Sequence, residues 1–193
     1  MPKARLAQRC YDTERNGRSP TSAMGDVMVV WFPILAWALA LFSATFSIQR
    51  AHQWRNFPFI CERLLAELLL FPVGLLGLWA ALGHIVFANQ AAAAIGWAPS
   101  PFQTEVGLAN LGIGIAGLIG YVYRDWGYRL GVSLVTGVFL LGAAAGHIYQ
   151  MYLTGNLAPG NAGPILYTDV LTPLALFILL AITRRAARDV IDE

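Results

Sequence analysis

Charge is scarce in this chain: only 12% of its 193 residues are Asp, Glu, Lys or Arg, about half the share of an ordinary soluble domain. A disordered chain needs low hydrophobicity and abundant charge, so that class is excluded. Two cysteines are too few for a small disulfide scaffold. A formal net charge of +2, spread over segments that alternate with apolar blocks, makes no basic face and excludes a nucleic-acid partner. Signatures of chemistry are missing as well. There is no HExxH, no CxxC, no phosphate loop after a strand, and no Ser or Cys beside a His in a nucleophile motif. The sequence points to a membrane and names no reaction.

Apolar residues make up 57% of the chain. Blocks long enough to cross roughly 30 Å of hydrocarbon, at about 1.5 Å per residue, fall at 27–46, 64–87, 106–123, 130–151 and 165–182. The expected fold is an all-α integral membrane bundle of five transmembrane helices, a single domain over 27–193 behind a basic tail at 1–26, with the lipid bilayer as its first partner. Pro33, Pro72 and Pro173 lie inside blocks and kink a span without excluding it. Trp31, Trp54, Trp97 and Trp126 lie at or beyond block ends, where the ring suits the headgroup region.

Five crossings sort the connections into two sets. Arg50, Arg55, Arg63, Arg124, Arg129, Arg184, Arg185 and Arg188 fall on one side, eight arginines in all, while 88–105 and 152–164 hold no Lys or Arg. The positive-inside bias makes the Arg-bearing side and the C-terminus cytoplasmic, in a multi-pass protein of the cell membrane. The tail opposes this, because Lys3, Arg5, Arg9, Arg15 and Arg18 precede the first span. Either the tail crosses against the bias, or translation starts at Met24 or Met28. The first block exceeds the roughly 7–15 apolar residues of a cleaved signal. Cys10 and Cys61 fall on opposite sides, so a disulfide between them is excluded.

Two segments share a pattern. Gly83-His84-Ile85 recurs as Gly146-His147-Ile148, each followed by an Ala-Pro step and then by a proline leading to Thr104-Glu105-Val106 or Thr168-Asp169-Val170. The second and third spans, and the fourth and fifth, read as tandem hairpins with the first span outside. Chance matching of Gly, Ala and Pro is the competing explanation.

The spacing brings His84, Glu105, Asn110, His147 and Asp169 to one depth at the Arg-free side. Each also lies on a stripe of small residues: Gly77, Ala81 and His84; Glu105, Ala109, Gly112 and Ala116; Ala143, Ala144 and His147. Such stripes are expected to face the bundle interior. Gly142 and Gly146 add a GxxxG spacing. Ionisable groups inside a span are functional candidates by default. Imidazole and carboxylate suit a metal held by His84 and His147, a proton relay or quinone-head pocket, or a solute path between the hairpins. The bland alternative is helix capping and interhelical hydrogen bonding. The segments 95–102 and 155–164 are rich in turn formers and read either as a lid, with Asn156 and Asn161 offering amides, or as tight turns.

Gly83-His84, the stretch 95–111 with its Gly96-Trp97-Ala98-Pro99-Ser100-Pro101 run, Gly142-Ala143-Ala144-Ala145-Gly146-His147 and the segment 156–163 carry a likeness. Over 62–182 the chain resembles a bacterial family of multi-pass membrane proteins that is a domain of unknown function, which implies a bacterial inner membrane as its location. The resemblance supports His84, Glu105, Asn110, His147 and Asn161 as site candidates and brings no activity with it. More loosely the chain looks like the DoxX group of small four-helix membrane proteins, some linked to quinone or thiol redox systems. The absence of CxxC, an extra helix and the long basic tail depart from that group. The leading expectation is a non-catalytic membrane protein, either an accessory subunit associating with other membrane subunits or with itself, or a small-molecule binding module. A redox component using a metal or quinone, and a small transporter, are the alternatives.

Overall fold

The computed structural model describes residues 20–189, with side chains from 28 to 184. Of the tail expected at 1–26, residues 1–19 lie outside the described residues, Cys10 among them, and 20–26 continue the first helix. All regular structure among the described residues is helical. Helix α1 is Pro20–Arg50; α2 is Phe57–Leu68, followed by a π-helical segment Leu69–Leu75 and α3, Leu76–Val86, in one continuous rod. Then come α4 (Ala88–Ile95), α5 (Phe102–Val122), α6 (Trp126–Thr154), α7 (Pro159–Ala162) and α8 (Pro164–Asp189).

Among the described residues five helical stretches are long and apolar enough to cross a membrane: Met28–Arg50, Phe57–Val86, Phe102–Val122, Trp126–Thr154 and Pro159–Arg184. The second is the most buried. Its rod packs against α1, α5 and α8, most closely where α3 meets α5, and the tightest pair outside the rod is α6 with α8. Leu65, Leu68, Leu69 and Val73 of the rod meet Ala40, Val132, Leu176 and Leu180 in the core. The outward surface is apolar, with Phe42, Val86, Leu108, Val138 and Ile178 exposed, as suits helices solvated by hydrocarbon.

The second and fourth spans start before the expected 64 and 130, and caps explain both. Asn56 accepts a hydrogen bond from the Phe59 amide at 3.2 Å and Pro58 stands in the first turn, so the second rod begins at Phe57. Asp125 accepts from the Tyr128 amide at 2.7 Å and starts α6 at Trp126. Arg63 and Arg129 therefore lie within helices, not in loops, and Arg129 is only 1% exposed. Pro72 sits in the π-helical segment; lacking an N–H, it cannot take part in the regular ladder.

The inward face of α5 also differs. Glu105, Ala109 and Gly112 point outward, and the buried stripe is Gln103, Gly107, Asn110, Gly114 and Gly117. Contact with α3 and the π segment selects that face: a Cβ on Gly77 would lie 3.0 Å from Gly114 Cα, and one on Gly117 would lie 2.8 Å from the Leu69 carbonyl oxygen. The helices approach backbone to backbone, and only glycine leaves room. Gly142 and Gly146, the GxxxG of α6, meet no neighbour within 4 Å of their missing Cβ positions.

Candidate functional site

Helices α3 and α6 finish, and α5 and α8 begin, at the end of the bundle away from Arg63 and Arg129. Helical side chains lean toward the N-terminus of their own helix. His147, late in α6, thus leans back into the bundle, while Asp169, early in α8, leans toward it.

The ring of His147 is held by Asn161. Its Nδ1 lies 2.8 Å from Asn161 Oδ1, and Asn161 Nδ2 donates to the carbonyls of His147 at 3.2 Å and of Asn156 at 2.9 Å. Because the amide's N–H bonds are committed to two carbonyls, its oxygen faces the ring, and an oxygen only accepts. Nδ1 therefore carries the proton of the neutral ring, and Nε2 carries the lone pair. Nε2 stands 3.9 Å from Asp169 Oδ2, beyond a direct hydrogen bond but within reach of a small shift or one bridging water. Both residues are buried, His147 at 7% and Asp169 at 5% exposure.

A clasp of two loops closes this pair off. Asn156 Nδ2 donates to the Ile95 carbonyl at 2.9 Å and Asn156 Oδ1 accepts from the Ala158 amide at 3.0 Å. Gly96 ends α4 at φ +78°, and a Cβ there would run into the Asn156 amide at 2.6 Å. Gly160 presses on the Ala94 carbonyl in the same way, at 2.8 Å from a Cβ. The Trp97 ring lies 6.2 Å from the His147 ring, tilted by 34°.

The first hairpin repeats part of this arrangement. His84 Nδ1 lies 2.5 Å from Gln103 Oε1, so each histidine, near the end of its helix, meets an amide oxygen placed just before or at the start of the next long helix. Gln103 was not among the residues singled out from the sequence. The repeat gave no signal for it, since Gln103 directly precedes Thr104 whereas Asn161 lies seven residues before Thr168.

The six candidates do not all converge. His147, Asn161 and Asp169 form one site. His84 is bonded to Gln103 instead, Asn110 commits its amide to the Val106 carbonyl of its own helix at 2.9 Å, and Glu105 is exposed. His84 and His147 are held by separate amides, and no three His, Cys, Asp or Glu residues converge as a metal requires among the described residues. The expected pairing of the two imidazoles on one ion has no geometric support.

A second polar set lies at the other end. Arg129 Nη1 bonds Glu62 Oε1 at 2.7 Å and its Nε donates to the Gly120 carbonyl at 2.8 Å. Arg63 Nη2 lies 2.6 Å from Glu67 Oε1, with Glu67 1% exposed. Arg129 Nη2, Glu67 Oε2, Ser133 Oγ and Thr136 Oγ1 are buried without a hydrogen-bond partner among the described residues.

Neither the comparison with curated proteins nor that with solved structures gives a match. The family models do: with five apolar helices and this loop-clasped histidine site inside the matched region, residues 30–189 match the family of unknown function DUF6790, and the chain belongs to that family.

Proposed function

We propose that this chain is a multi-pass protein of the bacterial inner membrane, built as one helix plus two tandem hairpins. Its Arg-bearing end and C-terminus face the cytoplasm, and a small-molecule binding site lies at the opposite face. The observation that carries the reading is the His147–Asp169 pair: Asn161 fixes Nδ1 as the donor, so Nε2 is left free to accept, 3.9 Å from a carboxyl oxygen. Such a pair can hold one hydrogen-bonding head group, giving a proton at one side and taking one at the other. The clasp of Asn156 on Ile95 and the Trp97 ring supply the cover. An ionisable pair kept inside an apolar bundle is costly unless it serves such an end.

The ligand class that fits is a compact polar head, such as a hydroxyl or quinone-type carbonyl, on an apolar body that lipid already solvates. The redox alternative, in line with the looser DoxX likeness, shares this geometry if the head is a quinone. Association with other membrane subunits, or with a second copy, is favoured by a separate feature: Gly131, Gly142 and Gly146 of α6 face open space.

Native mass spectrometry of the detergent-solubilised chain tests the binding reading. The expected result is a retained non-lipid small molecule that is lost in Asp169→Asn and His147→Ala and kept in His84→Ala. A wild-type protein that releases only lipid and detergent overturns it.

A further inference from the structure

Arg129, Ser133, Thr136 and His147 occupy a single face of α6. Their spacings of four, three and eleven residues keep them in line, and the 18 residues from Arg129 to His147 span about 27 Å of helix, nearly a full bilayer core. The two hydroxyls are 0% and 1% exposed and unpartnered. A helical Ser or Thr can ordinarily bond back to its own helix, so two that do not, in an apolar bundle, each leave a polar group unmet. Buried water is the usual remedy. Next to Thr136, Gly137 packs against α8, with the Phe177 ring 2.8 Å and Pro173 Cβ 3.5 Å from its missing Cβ position. This contact sets Thr136 and Thr172 at neighbouring levels.

The α8 side continues the series toward the other end. Thr172 is buried and its Oγ1 accepts from Trp37 Nε1 at 3.2 Å, so its hydroxyl proton remains to be given. Pro173 lacks the N–H that would satisfy the Asp169 carbonyl four residues earlier. One turn before Thr172 stands Asp169, facing His147.

We infer that the seam between α6 and α8 is a proton path, in which waters held by Arg129 Nη2, Ser133, Thr136 and Thr172 connect the Glu62–Arg129 end of the bundle to the Asp169–His147 pair. Glu62, 31% exposed, is the carboxylate at the mouth and neutralises Arg129. In the transfer, the acid form of Asp169 gives its Oδ2 proton to the Nε2 lone pair of His147, leaving a carboxylate and an imidazolium. The carboxylate takes a proton from the water file on the Thr136 side; as Asn161 swings clear, the imidazolium ring turns, gives its Nε2 proton to water beyond the clasp, and turns back with Nδ1 still protonated. One proton crosses, the pair is restored, and no other reactant is needed. The inference rests on the reading of this pair as a proton-exchanging site, whatever head group it holds.

The test is proton flux into liposomes carrying the full chain, driven by a potassium gradient with valinomycin and read by a trapped pH dye. The wild type is expected to exceed protein-free vesicles at least tenfold, with Asp169→Asn at background and Thr136→Val, or Ser133→Ala with Thr136→Val, down about tenfold. Thr45→Val, whose hydroxyl is exposed and bonds its own helix, is expected to match wild type, and circular dichroism in detergent confirms that each variant is folded. Flux at background in the wild type overturns the path, as does wild-type flux in folded Thr136→Val. Retention of the small molecule is measured on the same preparations. If it is retained and dependent on Asp169 while flux is absent, the path alone falls; if flux depends on Asp169 and no molecule is retained, the binding reading alone falls.

Discussion

Arg129 Nη1 and Glu62 Oε1 meet at 2.7 Å across 67 residues of chain, tying α6 to α2 at the Arg-bearing end of the bundle. The guanidinium is buried, whereas Glu62 remains 31% exposed. The two partners are therefore not equivalent to remove.

Glu62→Ala leaves a buried cation without its counter-charge, and its expected cost is about 2 kcal/mol, below the range for a fully buried pair because Glu62 is partly solvated. Arg129→Met keeps the volume and removes the charge, and is expected to be nearer neutral. Thermal unfolding in detergent checks the order: Glu62→Ala should melt at the lower temperature.

The contact of the π-helical segment with α5 predicts a contrast between two glycines of one helix. A Cβ at Gly117 would lie 2.8 Å from the Leu69 carbonyl oxygen and 2.9 Å from the Gly74 nitrogen, while one at Gly112 meets nothing within 4 Å. Gly117→Ala is expected to destabilise by about 1–3 kcal/mol through overpacking. Gly112→Ala is expected to be neutral or to stabilise by about 0.5–1 kcal/mol through helix propensity. Melting temperatures of the two variants, measured side by side, decide this.

The hold of Asn161 on His147 predicts a tautomer. Nitrogen-15 NMR of the labelled side chain should find the neutral His147 ring protonated at Nδ1. In Asn161→Ala that preference should be lost, with a stability cost of about 1–2 kcal/mol from the missing interhelical bonds. Gln103→Ala should disturb the His84 ring and leave the His147 signals in place.

These particulars also show how far the sequence could be read. The five apolar stretches were legible because a bilayer needs a minimum length of hydrocarbon, and any block of about 20 residues betrays it. The meeting of His147 and Asp169 was legible because the level of polar groups at span ends follows from helix direction, whereas Asn161 was read only as a loop amide and its hold on the His147 ring was not foreseen. The inward face of α5 was not: Glu105-Ala109-Gly112 and Gly107-Asn110-Gly114 both carry small residues at helical spacing, and only the glycines of α3 and the π segment, which need a backbone against them, choose between the two. Arg63 and Arg129 were misread as loop charges because hydropathy ends a span at the first arginine, whereas Asn56 and Asp125 start the helices earlier by capping them. Glu67 was overlooked for a related reason. Its partner Arg63 lies one turn away, and a single carboxylate in a leucine-rich run barely lowers the mean.

Orientation has its own check. In a background with Cys10→Ser and Cys61→Ala, single cysteines at Asn156 and at Arg124 should label with membrane-impermeant maleimide from opposite sides of oriented vesicles, Arg124→Cys from the cytoplasmic side. Labelling of both from one side would remove the five-span reading.

The most direct test of the account is an experimental structure of the chain in a lipid nanodisc, read for the distance between His147 Nε2 and Asp169 Oδ2. A separation close to 3.9 Å is expected, beneath a closed 155–163 segment, with a compact non-protein feature or an ordered water against the pair. A carboxyl turned toward the acyl chains, or lying more than about one helical pitch of 5.4 Å from the ring, would contradict it.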